Sequence, residues 1–277
     1  MNSALTIGNK KTLRNGIEAP LLGYGTFESA PDDVGNGVRW AIEAGYRHID
    51  TAKAYGNEAE VGSAIRASGV ARETLFIATK VWMDDYPDVN GAFESAARKL
   101  KTDYIDLFML HWPGTDETLR YKAYETLLKL ESEGKIHASG VSNFMVEHLE
   151  SLKGVFGAYP LYNQIQVHPW GRQPDLYAFC EKNEIAVAAW GPLMHGHLKE
   201  VTELARLAEA YGRSPAQITL RWHLQRGNIV LPKSLHNERI IENADLFGFE
   251  LSQGDMDFID SLERDWHWGP DAYSFNG

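Results

Sequence analysis

Short apolar, β-prone runs alternate with longer amphipathic stretches along nearly the whole chain. Eight runs read as strands: Leu21 to Gly25, Arg47 to Asp50, Leu75 to Lys80, Ile105 to His111, Ile136 to Ser142, Tyr162 to Gln166, Ile185 to Trp190, and Asn228 to Pro232. Their last residues lie 25, 30, 31, 31, 24, 24 and 42 positions apart, and most of these steps match one strand plus one returning helix. Phe108-Met109-Leu110 and Ala186-Val187-Ala188-Ala189 are uninterrupted apolar stretches, as expected of parallel strands covered on both faces. Ala30-Pro31-Asp32-Asp33 and Ser214-Pro215 have the chemistry of helix starts, and the 42-residue step has room for two helices, Leu198 to Tyr211 and Pro215 to Arg226. Ahead of these units, Asn15-Gly16 predicts an N-terminal hairpin closed by a two-residue turn. Eight alternating units without a linker predict an α/β fold in which residues 1–277 form a single (β/α)8 barrel domain. A doubly wound sheet fits less well, because no Gly-x-Gly-x-x-Gly turn follows the first strand.

A barrel gathers its chemistry at the C-terminal ends of its strands, so the polar residues that end these runs are the candidates. Asp50, Lys80 and His111 end the second, third and fourth runs, which are neighbours in such a barrel, and Tyr55 follows in the turn Tyr55-Gly56-Asn57. An ammonium beside a phenol favours the phenolate, and a carboxylate keeps that ammonium charged, so this quartet predicts a Tyr55 with lowered pKa that can donate a proton near neutral pH. His111 is placed to hold the same substrate oxygen. Protonating an oxygen as negative charge develops on it is the requirement of carbonyl reduction.

Composition narrows the alternatives. With 38 acidic and 27 basic residues the net charge is −11, which argues against nucleic acid as a partner. No apolar run is long enough to span a bilayer, and the segment from Met1 to Lys10 lacks the apolar stretch of a secretory signal, so neither a membrane partner nor export is expected. The single cysteine, Cys180, excludes an intrachain disulfide, suits the cytoplasm, and sits in the apolar stretch Leu176 to Cys180 as a buried bystander. His195 and His197 lack a third ligand nearby in sequence and are read as loop residues, so no metal site is expected.

These segments together resemble the aldo-keto reductase family over essentially the whole chain, closest in shape to its short members such as 2,5-diketo-gluconate reductases and prostaglandin F synthases. The resemblance rests on Gly23-Tyr24-Gly25-Thr26, Tyr46 to Ala52 with Tyr55-Gly56-Asn57-Glu58, Thr79-Lys80, His111-Trp112-Pro113, Gly140 to Phe144, Asn163-Gln164 with His168-Pro169, and Leu231-Pro232-Lys233-Ser234, in the family's order. It implies a catalytic tetrad of Asp50, Tyr55, Lys80 and His111, the same four residues. It also implies NADPH as cofactor, with Ser142, Asn143 and Gln164 on the nicotinamide carboxamide and Trp190 flat against the ring. Thr26, Asp50, Gly191 and Leu193 complete that wall. Lys233, Ser234 and Arg239 are implied for the adenosine 2′-phosphate, and Glu242 and Asn243 for the adenine. Turn and helix-cap chemistry is the plainer alternative for Ser142 and Asn143.

On the substrate side, Phe27, Trp82, His111 and Trp112 are expected to wall a small-molecule carbonyl. The family often carries Gly-Gln-Gly and a longer loop where this chain reads Met194-His195-Gly196-His197-Leu198, so a full cover over the cofactor is not expected. Pro113 to Thr118 is short, which predicts an open mouth; the aromatic tail from Trp266 to Gly277 either folds over that mouth or packs on the barrel wall. The resulting expectation is a monomeric, cytoplasmic NADPH-dependent reductase of aldehydes or ketones. Its rivals are a nicotinamide-binding regulatory subunit with vestigial catalysis and a metal-dependent barrel hydrolase.

Overall fold

A computed structural model describes residues 5–277, so the first four residues of the expectation about an N-terminal signal lie outside the described residues. Two short strands, β1 (Lys10–Thr12) and β2 (Glu18–Pro20), pair antiparallel ahead of the main fold. The turn between them corrects the expected two-residue form. Leu13 N donates to Ile17 O, and Gly16 N donates to Leu13 O, each at 2.8 Å, so Arg14-Asn15-Gly16 make a three-residue loop. Only Gly16 takes positive φ (86°), whereas the two-residue turn needs left-handed backbone at both central positions.

The main sheet contains eight parallel strands in chain order: β3 (Gly23–Gly25), β4 (His48–Asp50), β5 (Phe76–Val81), β6 (Ile105–Leu110), β7 (Ile136–Ser142), β8 (Tyr162–Gln166), β9 (Ala186–Trp190) and β10 (Ile229–Val230). A parallel bridge from Leu22 to Val230, with Val230 N donating to Leu21 O at 2.8 Å, joins last strand to first and closes the barrel. Every residue of β5, β6 and β8 is buried, because the barrel interior packs one face and the helix ring the other.

Helices return the chain between strands, and their starts carry the expected chemistry. Pro31 opens α1 (Pro31–Glu43), which is followed by α2 (Glu58–Ala67); Asp88 accepts from Gly91 N at the start of α3 (Val89–Leu100), and Asp116 from Leu119 N at the start of α4 (Glu117–Ser132). After α5 (Val146–Phe156), α6 (Pro174–Lys182) and α7 (Glu203–Tyr211), Ser214 and Gln217 form a reciprocal capping box on α8 (Pro215–Gln225). The chain ends through α9 (Asn237–Ala244), α10 (Gln253–Asp260) and the aromatic tail. No helix among the described residues is long and apolar enough to cross a membrane. Cys180 is fully buried on α6, and burial pushes its thiol up to about 12.

Strand register brings the polar ends together. Asp50 stands between Gly25 and Ala78 on its neighbours, Lys80 beside Met109, and Gln164 between Ser142 and Ala188.

Candidate active site

A cavity of about 830 Å³ opens at the C-terminal end of the barrel. Its floor is a hydrogen-bonded chain of buried groups. Lys80 Nζ donates to Asp50 Oδ1 at 2.7 Å and to Thr51 O at 2.9 Å, and lies 3.4 Å from Tyr55 Oη. Gln164 Nε2 donates to the other carboxylate oxygen, Asp50 Oδ2, at 2.8 Å. Lys80 and Asp50 are 1% and 4% exposed, so this ion pair is held in a medium of low polarity where each partner depends on the other. Burial pulls the Lys80 ammonium down from its usual range, and Asp50 opposes that pull.

The phenol behaves differently from the expectation. Burial, and then the negative charge of Asp50, push Tyr55 well above the ordinary tyrosine value, so the free protein holds it as a neutral phenol. Two of the lysine's protons are committed to Asp50 and Thr51, which leaves it a single long contact to Tyr55. His111 sits beside the tyrosine with ring centroids 5.7 Å apart, and burial followed by the Lys80 charge hold it well below the usual histidine value. Its Nδ1 is buried and finds no partner among the described residues. A buried bare acceptor costs less than a buried unpaired N–H, so the neutral ring carries its proton on Nε2, leaving an N–H donor for the cavity that His111 lines.

A second network lies along β7 to β9. Ser142 Oγ donates to Gln164 O at 2.9 Å; Asn143 Nδ2 donates to His111 O at 3.0 Å and to Ser142 Oγ at 3.1 Å; Trp190 Nε1 donates to Asn143 Oδ1 at 2.9 Å. Asn143 takes left-handed backbone (φ 62°), a conformation asparagine tolerates better than most residues. Gln164 Nε2 gives one of its two protons to Asp50, and its Oε1 accepts no hydrogen bond among the described residues, which leaves the amide an acceptor at the cavity that Gln164 lines.

Phe27, Trp82, His111, Trp112, Trp190, Gly191, Leu193 and Lys233 also line the cavity. Thr26 does not. It is fully buried, and both its N–H and its hydroxyl donate to Asp50 O at 3.0 Å, so it braces two strand ends instead of facing a ligand. Ser234, Arg239, Glu242 and Asn243 lie off the lining. Ser234 Oγ accepts from His236 N at 3.1 Å within the loop, Arg239 is exposed on the first turn of α9 and forms no ion pair among the described residues, and Asn243 is buried farther along that helix. Lys233 Nζ donates to Glu28 O at 3.0 Å.

The expected open mouth is corrected by the tail. Trp266 packs on the wall against Trp170 and His168, while Trp268, Gly269, Pro270 and Phe275 line the cavity itself. Trp268 stacks on His195 with centroids 3.8 Å apart, and Phe275 meets Trp82 and Trp112 at 6.0 and 4.8 Å. The short loop after β6 vacates space that the tail then occupies, with Asn276 Oδ1 accepting from Thr115 N at 3.4 Å. Sequence reasoning had singled out the tail's aromatics without assigning them to the cavity, and it missed Glu28 and the part His195 plays in the roof. His197 bonds Glu200, and no group of three or more His, Cys, Asp or Glu side chains able to hold a metal occurs among the described residues.

A family model described as the Aldo/keto reductase family matches residues 21–264. This chain belongs to the aldo/keto reductase family. Among other reductases of the family, it is 47% identical over 262 residues to the glyoxal reductase of Bacillus subtilis (strain 168), covering 93% of this chain and 94% of the relative. It is 39% identical over 267 residues to methylglyoxal reductase DkgA of Escherichia coli (strain K12), covering 96% and 97%. The solved structure of a Gox0644 mutant in complex with NADPH superposes with a TM-score of 0.93 at 34% identity, covering all of both chains.

Proposed function

We propose that this member of the family is an NADPH-dependent reductase of small aldehydes and ketones, with Tyr55 as proton donor. The observation that carries this reading is the buried chain Tyr55, Lys80, Asp50, Gln164 at the floor of an aromatic-walled cavity. The residues fit the cofactor. Gln164 Oε1 is the acceptor that a carboxamide NH2 needs, the Trp190 ring offers a flat apolar face, and Lys233 and Arg239 put two cations on one loop and helix start of a chain with net charge −11. When bound, NADPH supplies the hydride. Ser142, Asn143, Gln164, Trp190, Gly191 and Leu193 would hold its nicotinamide end; Lys233, Ser234 and Arg239 its 2′-phosphate; and Glu242 and Asn243 its adenine.

The chain's own residues do the rest. His111, neutral and carrying its proton on Nε2, donates to the carbonyl oxygen and fixes its direction toward Tyr55. As charge builds on that oxygen, Tyr55 gives up its proton, and Lys80 stabilises the phenolate that forms. Asp50 keeps Lys80 charged, and Gln164 satisfies the carboxylate oxygen that Lys80 does not reach. Phe27, Trp82 and Trp112, with the tail, exclude water from the reacting oxygen. Asp50, Tyr55, Lys80 and His111 all stand at one barrel rim, and the functional unit proposed is the monomer.

The relatives named for glyoxal and methylglyoxal support small dicarbonyls as the first substrates to try. The test is NADPH oxidation against glyoxal, methylglyoxal, aromatic aldehydes, ketoesters and keto-sugars; a purified, folded protein that oxidises NADPH with none of them would overturn the reading. The cofactor assignment has its own check. Replacing either Lys233 or Arg239 by Ala is expected to raise the Kd of NADPH about ten- to a hundredfold, the range of one charge-assisted contact, and to leave that of NADH nearly unchanged. Equal losses for both dinucleotides would count against a 2′-phosphate site there.

A further inference from the structure

Asn57 occupies the N-cap position of α2, where an asparagine side chain ordinarily accepts from the first turn of the helix; here it makes no such bond. Its carboxamide is fully buried and committed elsewhere. Nδ2 donates to Thr26 O and to Ser29 O, both at 3.0 Å, and Oδ1 accepts from Thr51 Oγ1 at 3.0 Å. The two carbonyls belong to the two ends of one turn, closed by Ser29 N donating to Thr26 O at 3.2 Å, whose central residues are Phe27 and Glu28. Glu28 takes left-handed backbone (φ 53°), which is unfavourable for glutamate and persists only where the surroundings hold it. Thr51, the third partner, starts the segment that leads to Tyr55, and its carbonyl accepts from Lys80 Nζ at 2.9 Å.

We propose that Asn57 is a positioning residue that clips the Phe27 turn to the Tyr55 segment and thereby sets where the aromatic wall stands relative to the proton donor. Phe27 is 37% exposed, lines the cavity, and lies with its ring centroid 5.1 Å from that of Tyr55. Its other ring neighbours, His195 at 5.9 Å and Trp268 at 6.2 Å, belong to the loop after β9 and to the tail, so the clip is what ties its backbone to the Tyr55 segment. The consequence is selective. A substrate large enough to lean on Phe27 feels the clip; a two-carbon dicarbonyl held by His111 and Tyr55 alone does not.

The inference rests on the reading of Tyr55 as donor, yet the two fail separately. An unchanged turnover in Tyr55→Phe removes the donor and leaves the selectivity test intact. That test compares kcat/KM for benzaldehyde and glyoxal, with NADPH saturating. In Asn57→Ala the benzaldehyde-to-glyoxal ratio is expected to fall about tenfold, because a displacement well under 1 Å already costs a large substrate its alignment. In a Phe27→Ala background the same substitution is expected to change the ratio less than about twofold, since the wall it positions is gone. Equal losses for the two substrates, no loss for either, or an undiminished ratio change in the Phe27→Ala background would each overturn the proposal. Should Asn57→Ala fail to fold, Thr51→Val removes one arm of the clip while keeping the carbonyl on Lys80; an expected ratio change of about threefold supports the proposal and an unchanged ratio overturns it.

Discussion

Tyr55→Phe is expected to lower kcat for aldehyde reduction by about 10²- to 10⁴-fold, the usual contribution of a positioned general acid, and to shift the Kd of NADPH less than about twofold. The substitution removes one oxygen, and the Lys80 to Asp50 pair, with its bonds to Thr51 and Gln164, stays complete without it. The pH behaviour of the unsubstituted protein carries the same assignment. Tyr55 is raised above the usual tyrosine range, so the phenol stays protonated as pH climbs from neutrality, and reduction is not lost on that side. His111 is lowered below the usual histidine range, so the ring stays neutral as pH falls through about 6.5, and reduction is not lost there either. A flat kcat/KM for reduction between about pH 6 and pH 9 follows, whereas alcohol oxidation, which needs the phenolate as base, is expected to rise with pH. A reduction profile with a midpoint near 6.5 would overturn the assignment of His111 as a neutral donor.

Lys80→Met combines a loss of activity with a loss of stability. Methionine fills most of the space but leaves the Asp50 carboxylate buried with Gln164 as its one side-chain donor. An uncompensated charge of this kind costs about 3–5 kcal/mol. For a chain of this length that corresponds to a Tm lower by about 5 to 9 °C. Turnover is expected to fall to within about tenfold of the Tyr55→Phe level, because groups that act as a unit are not additive. Adding Asp50→Asn neutralises the stranded carboxylate and is expected to restore part of the Tm with none of the activity. Thermal unfolding and kcat measured on the single and double variants separate the two effects, and a double variant as unstable as Lys80→Met would refute the stranded charge as the cause.

Much of this was legible in the sequence, and the parts that were share a cause. Parallel strands buried on both faces are nearly free of polar residues, so Asp50, Lys80 and His111 stand out at the ends of apolar runs, and barrel topology brings those ends to one rim. What the sequence hid depends on contacts between distant segments. The direction of the Tyr55 shift follows from burial, to which Phe27 and the distant His111 contribute, and the position of a lysine in the sequence carries no information about how its protons are shared. Thr26 came in as a cofactor contact only through the family resemblance, and no pattern along the chain shows that its hydroxyl reaches back to Asp50 O. Asn15-Gly16 is compatible with two- and three-residue turns alike; the register of Thr12 opposite Glu18 selects the longer. The tail has no helical or alternating period, so its aromatics declared no face until the loop after β6 left them a place.

The lone cysteine lends the molecule to spectroscopy. Cys180 is buried where α6 packs on the core, and its high thiol pKa keeps it protonated, so a maleimide or nitroxide reagent has nothing native to label. A thiol installed at the exposed Ser274 would carry the sole reporter in the chain, on the tail whose Trp268 and Phe275 line the cavity, and its signal would read whether that tail moves when dinucleotide is added.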